Sequence, residues 1–473
     1  MQKNVQMSLF DIYENISTSM EEKKPALISL IDDNIDFDAL ISVHFHSAFY
    51  RYYGRKHKYH LVSFIKALVL EKLLGFDDSQ LILVLNLSRE LRGFCEFNKV
   101  PDASYFTRFK QNYGDFIVAM FETLVDITEP ICRKINAKKS DYLIYDTTGI
   151  ELKVAENNPK FFNTKLKQAK ENCNGTSANP YIAVYNTLPD FSHANKNAKQ
   201  QYINGHYCYA LKAGLVTNGM GIVRHISVFD DDFKTAHPEI VSQKTDNPDV
   251  DKEIGDSVSL KPVLSDFYTK HPSFHYNTFL GDSAFDSYDN YSLLKNDFGF
   301  HRACIPLNFR NSKSSDASFD EYGTPICHKD KQPFTFVGIC KGKNRSERFK
   351  WVCPKSIPKR NTRVCICENP CTASSYGKCT YTYPDKNFRL YPGIPRNTEH
   401  WDNLYKHRVV CERTINIFKD SFGISSLKSH NIATVKTDLY LACITQLIGV
   451  LLAYALDKPK LVKSIKKIIS IVA

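Results

Sequence analysis

Four polar residues near the carboxyl-terminal end of the chain recur at a spacing that places them on one side of a helix. They are Tyr405, Arg408, Glu412 and Lys419, within the stretch Trp401–Asp420. At about 100° per residue, their side chains point within about 60° of one another around the helix axis. Such a stripe could present the carboxylate of Glu412 and the cations of Arg408 and Lys419 to a charged ligand. The alternative is a solvated face with an ordinary i,i+4 ion pair between Arg408 and Glu412.

Two aspartates elsewhere in the chain follow predicted strands and could complete a site with that stripe. Asp146 lies in YDTTG and Asp282 lies in FLGDSAFD, each at the end of an apolar run. A carboxylate in this position can project into a cleft, although it often only caps a turn. Together with Glu412 the two residues would supply three carboxylates, which are ligands that suit Mg²⁺. Two such ions can activate the attacking oxygen and stabilise the leaving oxygen in phosphoryl transfer.

The strands that would carry these aspartates belong to a pattern typical of a mixed sheet. Alternating apolar and β-branched residues predict strands in SDYLIYDTTGIEL, HYCYALKAGLVTN and GIVRHISVF, with a hairpin turn at Asn218–Gly219. Further strands are predicted around NTFLGDS and FHRACIPL, with a helix from Tyr288 to Asp297 between them. Antiparallel strands followed by strands that alternate with helices indicate an α/β fold.

The first part of the chain predicts helices instead of strands. The segment HLVSFIKALVLEKLLGF ends at Gly75, a natural helix cap, and the next helix begins after cap candidates that include Asp77. A third helix, DASYFTRFKQN, carries Arg108 and Lys110. Short helices with tight turns favour either a helix-turn-helix-like DNA-binding unit, with these two cations at the phosphates, or a plain helical bundle.

The chain resembles bacterial insertion-sequence transposases of the DDE type. The resemblance rests on the signature Tyr405-x2-Arg408-x3-Glu412-x6-Lys419, on Asp146 in YDTTG and Asp282 in GDSAF, and on the helical part GRKHKYHLVSFIKALVLEKLLGF followed by PDASYFTRF. It implies a ribonuclease-H-like mixed sheet flanked by helices, with Asp146, Asp282 and Glu412 as ligands of Mg²⁺ or Mn²⁺. Arg408 and Lys419 would then hold phosphates near the cut, and Tyr405 would position one of them.

The reaction implied by the resemblance is DNA cleavage at the ends of the element, followed by attack of the freed 3′-hydroxyl on target DNA. Double-stranded DNA would be the partner, and the handling of two element ends implies a homodimer on DNA. The setting would be the bacterial cytoplasm, in association with the nucleoid. Two alternatives stand beside this interpretation. One is a metal-dependent nuclease that cuts without strand transfer, and the other is a non-catalytic DNA-binding protein descended from a transposase.

A Cys-rich stretch at residues 310–397 separates Asp282 from Glu412 and predicts an inserted module. The chain has 14 cysteines, a number that favours reduced thiols over a disulfide framework in a chain of this size. Five cysteines of the insertion offer thiolates for one tetrahedral zinc site: Cys353, Cys365, Cys367, Cys371 and Cys379. Because their spacing is not the usual C-x2-C pair, reduced structural cysteines are the alternative.

The same insertion is strongly basic. The run KGKNRSERFKWVCPKSIPKRNTR interleaves Lys and Arg with aromatic residues, a composition suited to the DNA backbone. The residues expected to contact phosphates there are Lys341, Lys343, Arg345, Arg348 and Lys350. Over the whole chain, 62 Lys and Arg against 51 Asp and Glu give a net charge of +11, which also favours a polyanionic partner.

These patterns divide the chain into five segments. They are a flexible N-terminus (1–35), a helical helix-turn-helix-like DNA-binding domain (36–130), a first part of the catalytic core (138–309), the Cys-rich basic insertion (310–397), and a second part of the core with a C-terminal helix (398–473). The apolar segment Tyr440–Leu456 is at the lower length limit for a membrane span and contains Thr445 and Gln446. A buried helix is therefore expected there, with no membrane partner. The N-terminus also lacks the basic flank and apolar core of a secretory signal.

Overall fold

The computed structural model describes residues 8, 10, 26–51, 56–203, 206–243, 253–308, 318–343 and 345–472. The fold is mixed α/β. Its helices are α1 (Ala26–Asn34), α2 (Phe37–Leu40), α3 (Val43–Phe49), α4 (Leu61–Leu74), α5 (Asp78–Leu87), α6 (Arg89–Phe94), α7 (Ala103–Asn112), α8 (Gly114–Ser140), α9 (Pro159–Asn172), α10 (Pro180–Thr187), α11 (Asp231–Ala236), α12 (Asp256–Lys270), α13 (Tyr288–Ser292), α14 (Glu399–Tyr405), α15 (Val409–Asn416), α16 (Ile432–Ala455) and α17 (Ile465–Val472).

The strands form three sheets. Their bounds are β1 (Tyr142–Glu151), β2 (Lys199–Ile203), β3 (His206–Asn218), β4 (Val223–Val228), β5 (Thr278–Leu280), β6 (Arg302–Cys304), β7 (Thr335–Gly342), β8 (Arg345–Val352), β9 (Ser356–Lys359), β10 (Thr362–Cys365) and β11 (Cys379–Thr382). The largest sheet has the order β2-β3-β1-β5-β6, with β4 also paired to β3. The two smaller sheets, β11-β8-β7 and β10-β9, both lie in the insertion.

The amino-terminal part of the described chain is helical, and its local signals act as the sequence predicts. Helix α4 ends at Gly75, whose φ of +70° is the left-handed conformation that glycine adopts without a steric penalty. Asp77 then begins α5 with a capping box, because its side chain accepts from the Gln80 amide while the Gln80 side chain accepts from the Asp77 amide. The predicted second helix is two helices, since Ser88 ends α5 and caps α6.

The predicted flexible N-terminus extends too far. Residues 26–35 form α1 and the turn after it, and Ile28, Ile31 and Ile35 are buried in the main core. These isoleucines recur on one face of the helix, and burial of that face in the core holds α1 in place. Apart from residues 8 and 10, the first 25 residues of that predicted segment lie outside the described residues.

A buried group of charges joins the helical part to α16. The Lys110 ammonium lies 2.7 Å from an oxygen of Asp78, 2.7 Å from Asp438 and 3.2 Å from Glu71. Lys72 lies 2.7 Å from both Glu71 and Asp438. The prediction that Lys110 contacts DNA is therefore wrong, because the residue is only 1% exposed and its charge is already matched by three carboxylates.

The helix predicted to be buried is confirmed. Among the described helices, α16 is long and apolar enough to cross a membrane, but 83% of its most apolar window is buried inside the fold. It contacts α8, α4 and β4, and its Gln446 side chain accepts from the Val223 amide and donates to the Gly221 carbonyl. Gln446 thus holds the beginning of β4, while the Thr445 hydroxyl donates to the Leu441 carbonyl of its own helix.

The large sheet follows the predicted sequence of strands. β1 pairs antiparallel with β3, and β3 pairs antiparallel with β4 through the turn that begins at Asn218. β5 then pairs parallel with β1, and β6 pairs parallel with β5. Because β1 and β5 are parallel neighbours, the residues that follow their carboxyl ends meet at one edge of the sheet.

Candidate active site

Asp146 and Asp282 come from this shared edge. Ile144 on β1 is opposite Leu280 on β5, and each aspartate lies two residues further along its own segment. Asp146 remains within β1, whereas Asp282 follows β5 and accepts a 2.8 Å hydrogen bond from the Ala284 amide. The two carboxylates are close enough for Asp282 to affect the pKa of Asp146.

The helical stretch that carries Glu412 is less regular than predicted. α14 ends at Tyr405, a 3₁₀ turn spans Lys406–Arg408, α15 spans Val409–Asn416, and a π turn spans Ile417–Ser421. The chain direction continues through all four pieces, but the angle per residue changes at each wider or tighter turn. The predicted alignment along one stripe therefore holds for some of its members only.

Three members of the stripe lie together beside the aspartates. The Arg408 guanidinium is 2.7 Å from a Glu412 carboxylate oxygen and 3.7 Å from an oxygen of Asp146. It also lies 5.9 Å from the centre of the Tyr405 ring. Burial raises the pKa of Tyr405, and the carboxylate of Asp282 also raises it. The helical segment thus contacts Asp146 through Arg408, and Asp282 is near enough to influence Tyr405.

Lys419 lies elsewhere. It lies within the π turn and lines a small cavity with Thr148 and Ile150 of β1, on the side of the sheet covered by α16. Burial lowers the pKa of its ammonium, and the charges nearest to it include Glu151 and Asp420. Lys419 is thus placed further along β1 than Asp146, and a role at a phosphate stays a prediction.

The packing of α15 on the sheet fixes where Glu412 sits. The Thr414 hydroxyl donates to the Gly221 carbonyl at 2.8 Å, and the buried Cys411 thiol lies 3.7 Å from the Leu215 carbonyl. Gly221 has a φ of +78°, and a Cβ at this position would lie only 2.5 Å from a methyl carbon of Val410. The positive φ and the close packing of the β3–β4 turn against the Val410 side chain together favour glycine here.

The site carries an excess of negative charge. Burial, together with the carboxylates of Asp282 and Glu412, raises the pKa of Asp146 to about 6 against the opposing effects of the Thr147 amide and Arg408. Three carboxylates facing one partly buried arginine are a donor set whose chemistry suits a hard divalent cation. As the side chains stand, however, no three His, Cys, Asp or Glu residues in the described parts of the chain are close enough to hold a metal ion.

Two supporting interactions could not be read from the sequence. The Thr147 hydroxyl, next to Asp146, donates to the Asp256 carboxylate at 2.6 Å. The buried Arg389 makes a two-pronged ion pair with Asp286, at 3.0 and 2.8 Å, four residues beyond Asp282. Thr147 and Asp286 each stand in one of the two aspartate motifs. Their partners Asp256 and Arg389 are far away in sequence and have no local signal.

The residues predicted to contact DNA differ in exposure. Arg108 lies on the surface of α7, where its guanidinium covers the Tyr105 ring at 4.9 Å. Lys343 and Arg345 are exposed at the tip of the β7–β8 hairpin. The same hairpin carries three further cations with partners: Lys341 with Glu347 at 2.8 Å, Arg348 over the Tyr381 ring at 4.8 Å, and Lys350 over the Tyr376 ring at 5.1 Å.

The cysteine prediction is confirmed in one respect. All fourteen cysteines are free thiols, as expected for a reduced protein. Of the five predicted zinc ligands, Cys353 is buried and the other four are half-buried. Cys379 lies opposite Val352 in the β8–β11 pair, so its side chain is on the sheet face opposite to that of Trp351. The predicted set of five therefore does not share one location.

Comparison with known proteins gives one similarity. Residues 17–112 match the model of a family described as a transposase domain (DUF772). This similarity, over the helical part of the chain, supports a transposase and a role in transposition. No curated protein and no solved structure matches the chain.

Proposed function

We propose that this protein is a DDE-type DNA transposase that cleaves DNA at the ends of an insertion sequence and joins those ends to target DNA by Mg²⁺-dependent phosphoryl transfer. The observation that carries the proposal is that Asp146, Asp282 and Glu412, three carboxylates far apart in sequence, lie near one another. Arg408 lies 2.7 Å from Glu412 and 3.7 Å from Asp146, and both Asp282 and Glu412 raise the pKa of Asp146. The similarity of residues 17–112 to a transposase domain supports the same interpretation independently of those residues.

The topology of the large sheet supports a ribonuclease-H-like core. Three strands are joined in antiparallel order, β1 to β3 to β4, and two later strands lie parallel to β1 on its other side. The sheet places the two aspartates on adjacent parallel segments, and α15 crosses the sheet with Glu412. Residues 310–397 fill the interval between the second and third carboxylates, as an insertion into such a core would.

In this mechanism Asp146, Asp282 and Glu412 would hold Mg²⁺ or Mn²⁺. When bound, the metal would supply activation of the attacking oxygen and charge stabilisation at the leaving oxygen. The Arg408 guanidinium lies 2.7 Å from a carboxylate oxygen of Glu412. The N–H groups of Arg408 that do not face Glu412 would donate to a phosphate. Tyr405, half-buried beside Arg408, would limit the positions that this guanidinium can take.

The main alternative is a nuclease with the same metal site that cuts without strand transfer. A second is a DNA-binding protein that no longer uses its active site. Cleavage alone would use the same three carboxylates, so only the products distinguish the first alternative. The retention of all three carboxylates together with Arg408 favours a catalytic protein over the second.

The test is incubation of the full-length protein with Mg²⁺ and a plasmid carrying the DNA ends that flank its gene. We expect excision and joined products, and their loss in Asp282→Asn and in Glu412→Gln. Asp402→Asn, an exposed acid on α14, is the matched control and should retain activity. Cleavage without joined products would favour the nuclease, and full activity in both active-site variants would refute the assignment of the site.

A further inference from the structure

Two cysteines of the insertion share one side of its three-stranded sheet. Phe349 and Trp351 of β8 are buried on this face, and the Trp351 indole donates to the Thr382 hydroxyl at 2.8 Å. Cys353 follows β8 and lies in the same small apolar cluster, which also contains Cys327. The cluster is separate from the main core.

Side-chain and backbone links bring two further cysteines to the same place. The Lys329 ammonium, two residues after Cys327, donates to the carbonyl and the side-chain oxygen of Asn369, at 3.2 and 2.8 Å. Since Asn369 is two residues before Cys371, this link holds the Cys371 segment against the Cys327 turn. The fourth cysteine, Cys365, is paired with Ser356 between β9 and β10.

The turn after β8 completes the arrangement. The Ser356 amide donates to the Cys353 carbonyl at 2.9 Å, which closes a tight turn between Cys353 and the strand that faces Cys365. The Lys355 ammonium in this turn lies 2.8 Å from Asp330, three residues after Cys327. Consistent with this geometry, burial raises the pKa of the Cys353 thiol, and the neighbouring Cys365, Cys327 and Cys371 raise it further.

We propose that Cys327, Cys353, Cys365 and Cys371 bind one structural Zn²⁺ as four thiolates. Zn²⁺ prefers a closed tetrahedron of four sulfur ligands at about 2.3 Å in structural sites. As the side chains stand, no three of the described cysteines are within a shared coordination sphere, so the thiols turn about their Cα–Cβ bonds to close on the ion. Each thiol releases one proton to solvent as its sulfur binds the metal, and no electron is transferred.

This ligand set differs from the one expected from sequence spacing. Cys379 and Cys340 lie opposite Val352 and Arg348 in their strand pairs, so their side chains are on the other face of the sheet. Cys367 lies near the Lys355 ammonium. Cys327, which precedes the basic run, joins the set only because the folded insertion brings its turn against the Cys353 turn.

The insertion has a physical need for such an ion. Among the described residues, its separate core consists of seven buried residues, two of which are Cys327 and Cys353. Small modules with limited apolar cores are commonly stabilised by a structural metal. Four thiolates around Zn²⁺ leave two net negative charges, and the ammonium of Lys329, which is bound to the neutral Asn369, would offset part of them.

The experiment measures zinc in the full-length protein, expressed with zinc and dialysed against a mild chelator. We expect about one Zn²⁺ per chain in the wild type. Cys353→Ser and Cys371→Ser should lose the metal, whereas Cys340→Ser and Cys379→Ser, on the opposite face of the same sheet, should retain it. Well-folded wild-type protein without zinc would overturn the proposal, as would equal loss of zinc in the two control variants.

A second measurement avoids any dependence on the folding of the variants. Co²⁺ is titrated into metal-free wild-type protein, and the visible spectrum is recorded. A tetrahedral thiolate site gives strong d–d bands together with sulfur-to-cobalt charge-transfer absorption, and Zn²⁺ added afterwards should displace both. Absence of these bands in the wild type would refute four-thiolate ligation.

Discussion

Two groups of charged residues bring distant parts of this chain together, and they differ in charge balance and exposure. Around Lys110, two lysines and three carboxylates are buried at the junction between the amino-terminal helices and α16, with short ion pairs throughout. Around Arg408, Asp146 and Glu412 share one arginine at a partly open edge of the large sheet, and Asp282 is near enough to raise the pKa of Asp146. In the first group every carboxylate has a lysine within 2.7 Å, whereas in the second two carboxylates share a single arginine.

This difference separates a structural role from a functional one. A buried charge that is fully paired holds two elements in one arrangement, and the loss of one partner leaves the other uncompensated. A group of carboxylates at an accessible edge, in which burial and neighbouring carboxylates raise the pKa of Asp146, costs stability and is retained where a ligand uses it. The two groups should therefore respond in opposite ways to substitution.

The largest expected effect is on catalysis at the Arg408 group. Asp282→Asn and Glu412→Gln should each lower DNA cleavage on the order of 10³-fold or more, because each removes a carboxylate that would hold the metal ion. Their free energies of unfolding should change by no more than about 1 kcal/mol, since removal of a carboxylate relieves repulsion at this edge. Cleavage assays and denaturant unfolding on the same samples test the predicted loss of activity and the predicted small change in stability. A large loss of stability in either variant would contradict the proposed difference between the two charged groups.

The opposite response is expected at the Lys110 group. Lys110→Met should lower the free energy of unfolding by about 3–5 kcal/mol, because it leaves buried carboxylates with a single lysine. The control is Arg108→Met on the same helix, where the side chain is exposed and the change should be below about 1 kcal/mol. Denaturant unfolding measures both variants. Equal, small effects would show that the buried group contributes no net stability.

A third charged cluster, around His271, should make the stability of the protein depend on pH. His271 on the turn after α12 lies 2.7 Å from Asp126 and 2.8 Å from Glu122, both on α8. Burial lowers the pKa of His271, but the hydrogen bonds to these two carboxylates outweigh that effect and raise it above its ordinary value of 6.5. The stabilisation by the charged imidazole is fully present below pH 6.5, the pKa in the unfolded state, and is lost as the pH rises through the higher folded pKa.

His271→Asn should therefore destabilise the protein by roughly 1–2 kcal/mol more at pH 6 than at pH 9. Unfolding curves at the two pH values measure this difference. Lys270, Asp266 and His225 also face this junction, so the wild type and the variant are compared under the same ionic conditions. A pH-independent difference would show that the imidazole is neutral in the folded protein.

The smallest expected effect concerns the basic hairpin of the insertion. Lys343→Gln and Arg345→Gln at its exposed tip should each weaken DNA binding severalfold and reduce the salt slope by about 0.9 per lost phosphate contact. Lys350→Gln should have a smaller effect, because that ammonium already lies over the Tyr376 ring. Binding curves at several salt concentrations distinguish these outcomes. Unchanged DNA affinity and an unchanged salt slope in the tip variants would show that the hairpin does not contact DNA.

Local patterns in the sequence predict much of the fold. The turn at Asn218–Gly219, the cap at Gly75 and the strands that lead to Asp146 and Asp282 are all determined by neighbouring residues, and the structure has them where they are predicted. The segment Trp401–Asp420 shows the limit of this approach. Its spacing predicts one helix, but the segment includes 3₁₀ and π turns, and Lys419 lies beside Thr148 and Ile150, further along β1 than Asp146.

Long-range partners account for the predictions that failed. Lys110 occurs in a helix that suits DNA contact, yet its partner Asp438 is on α16, far along the chain. Arg389 and Cys327 have no motif of their own, and only the folded insertion places them beside Asp286 and Cys353. Charge pairing and strand register of this kind depend on tertiary structure, so no local pattern could indicate them.

The central claim is that Asp146, Asp282 and Glu412 form one site for a divalent cation. Mn²⁺ binding to the purified protein, followed by electron paramagnetic resonance of the free ion, tests this claim without DNA. The account predicts saturable binding in the wild type, affinity at least about tenfold lower in Asp146→Asn, Asp282→Asn and Glu412→Gln, and wild-type affinity in Asp402→Asn. Binding that is unchanged in all three carboxylate variants would contradict it.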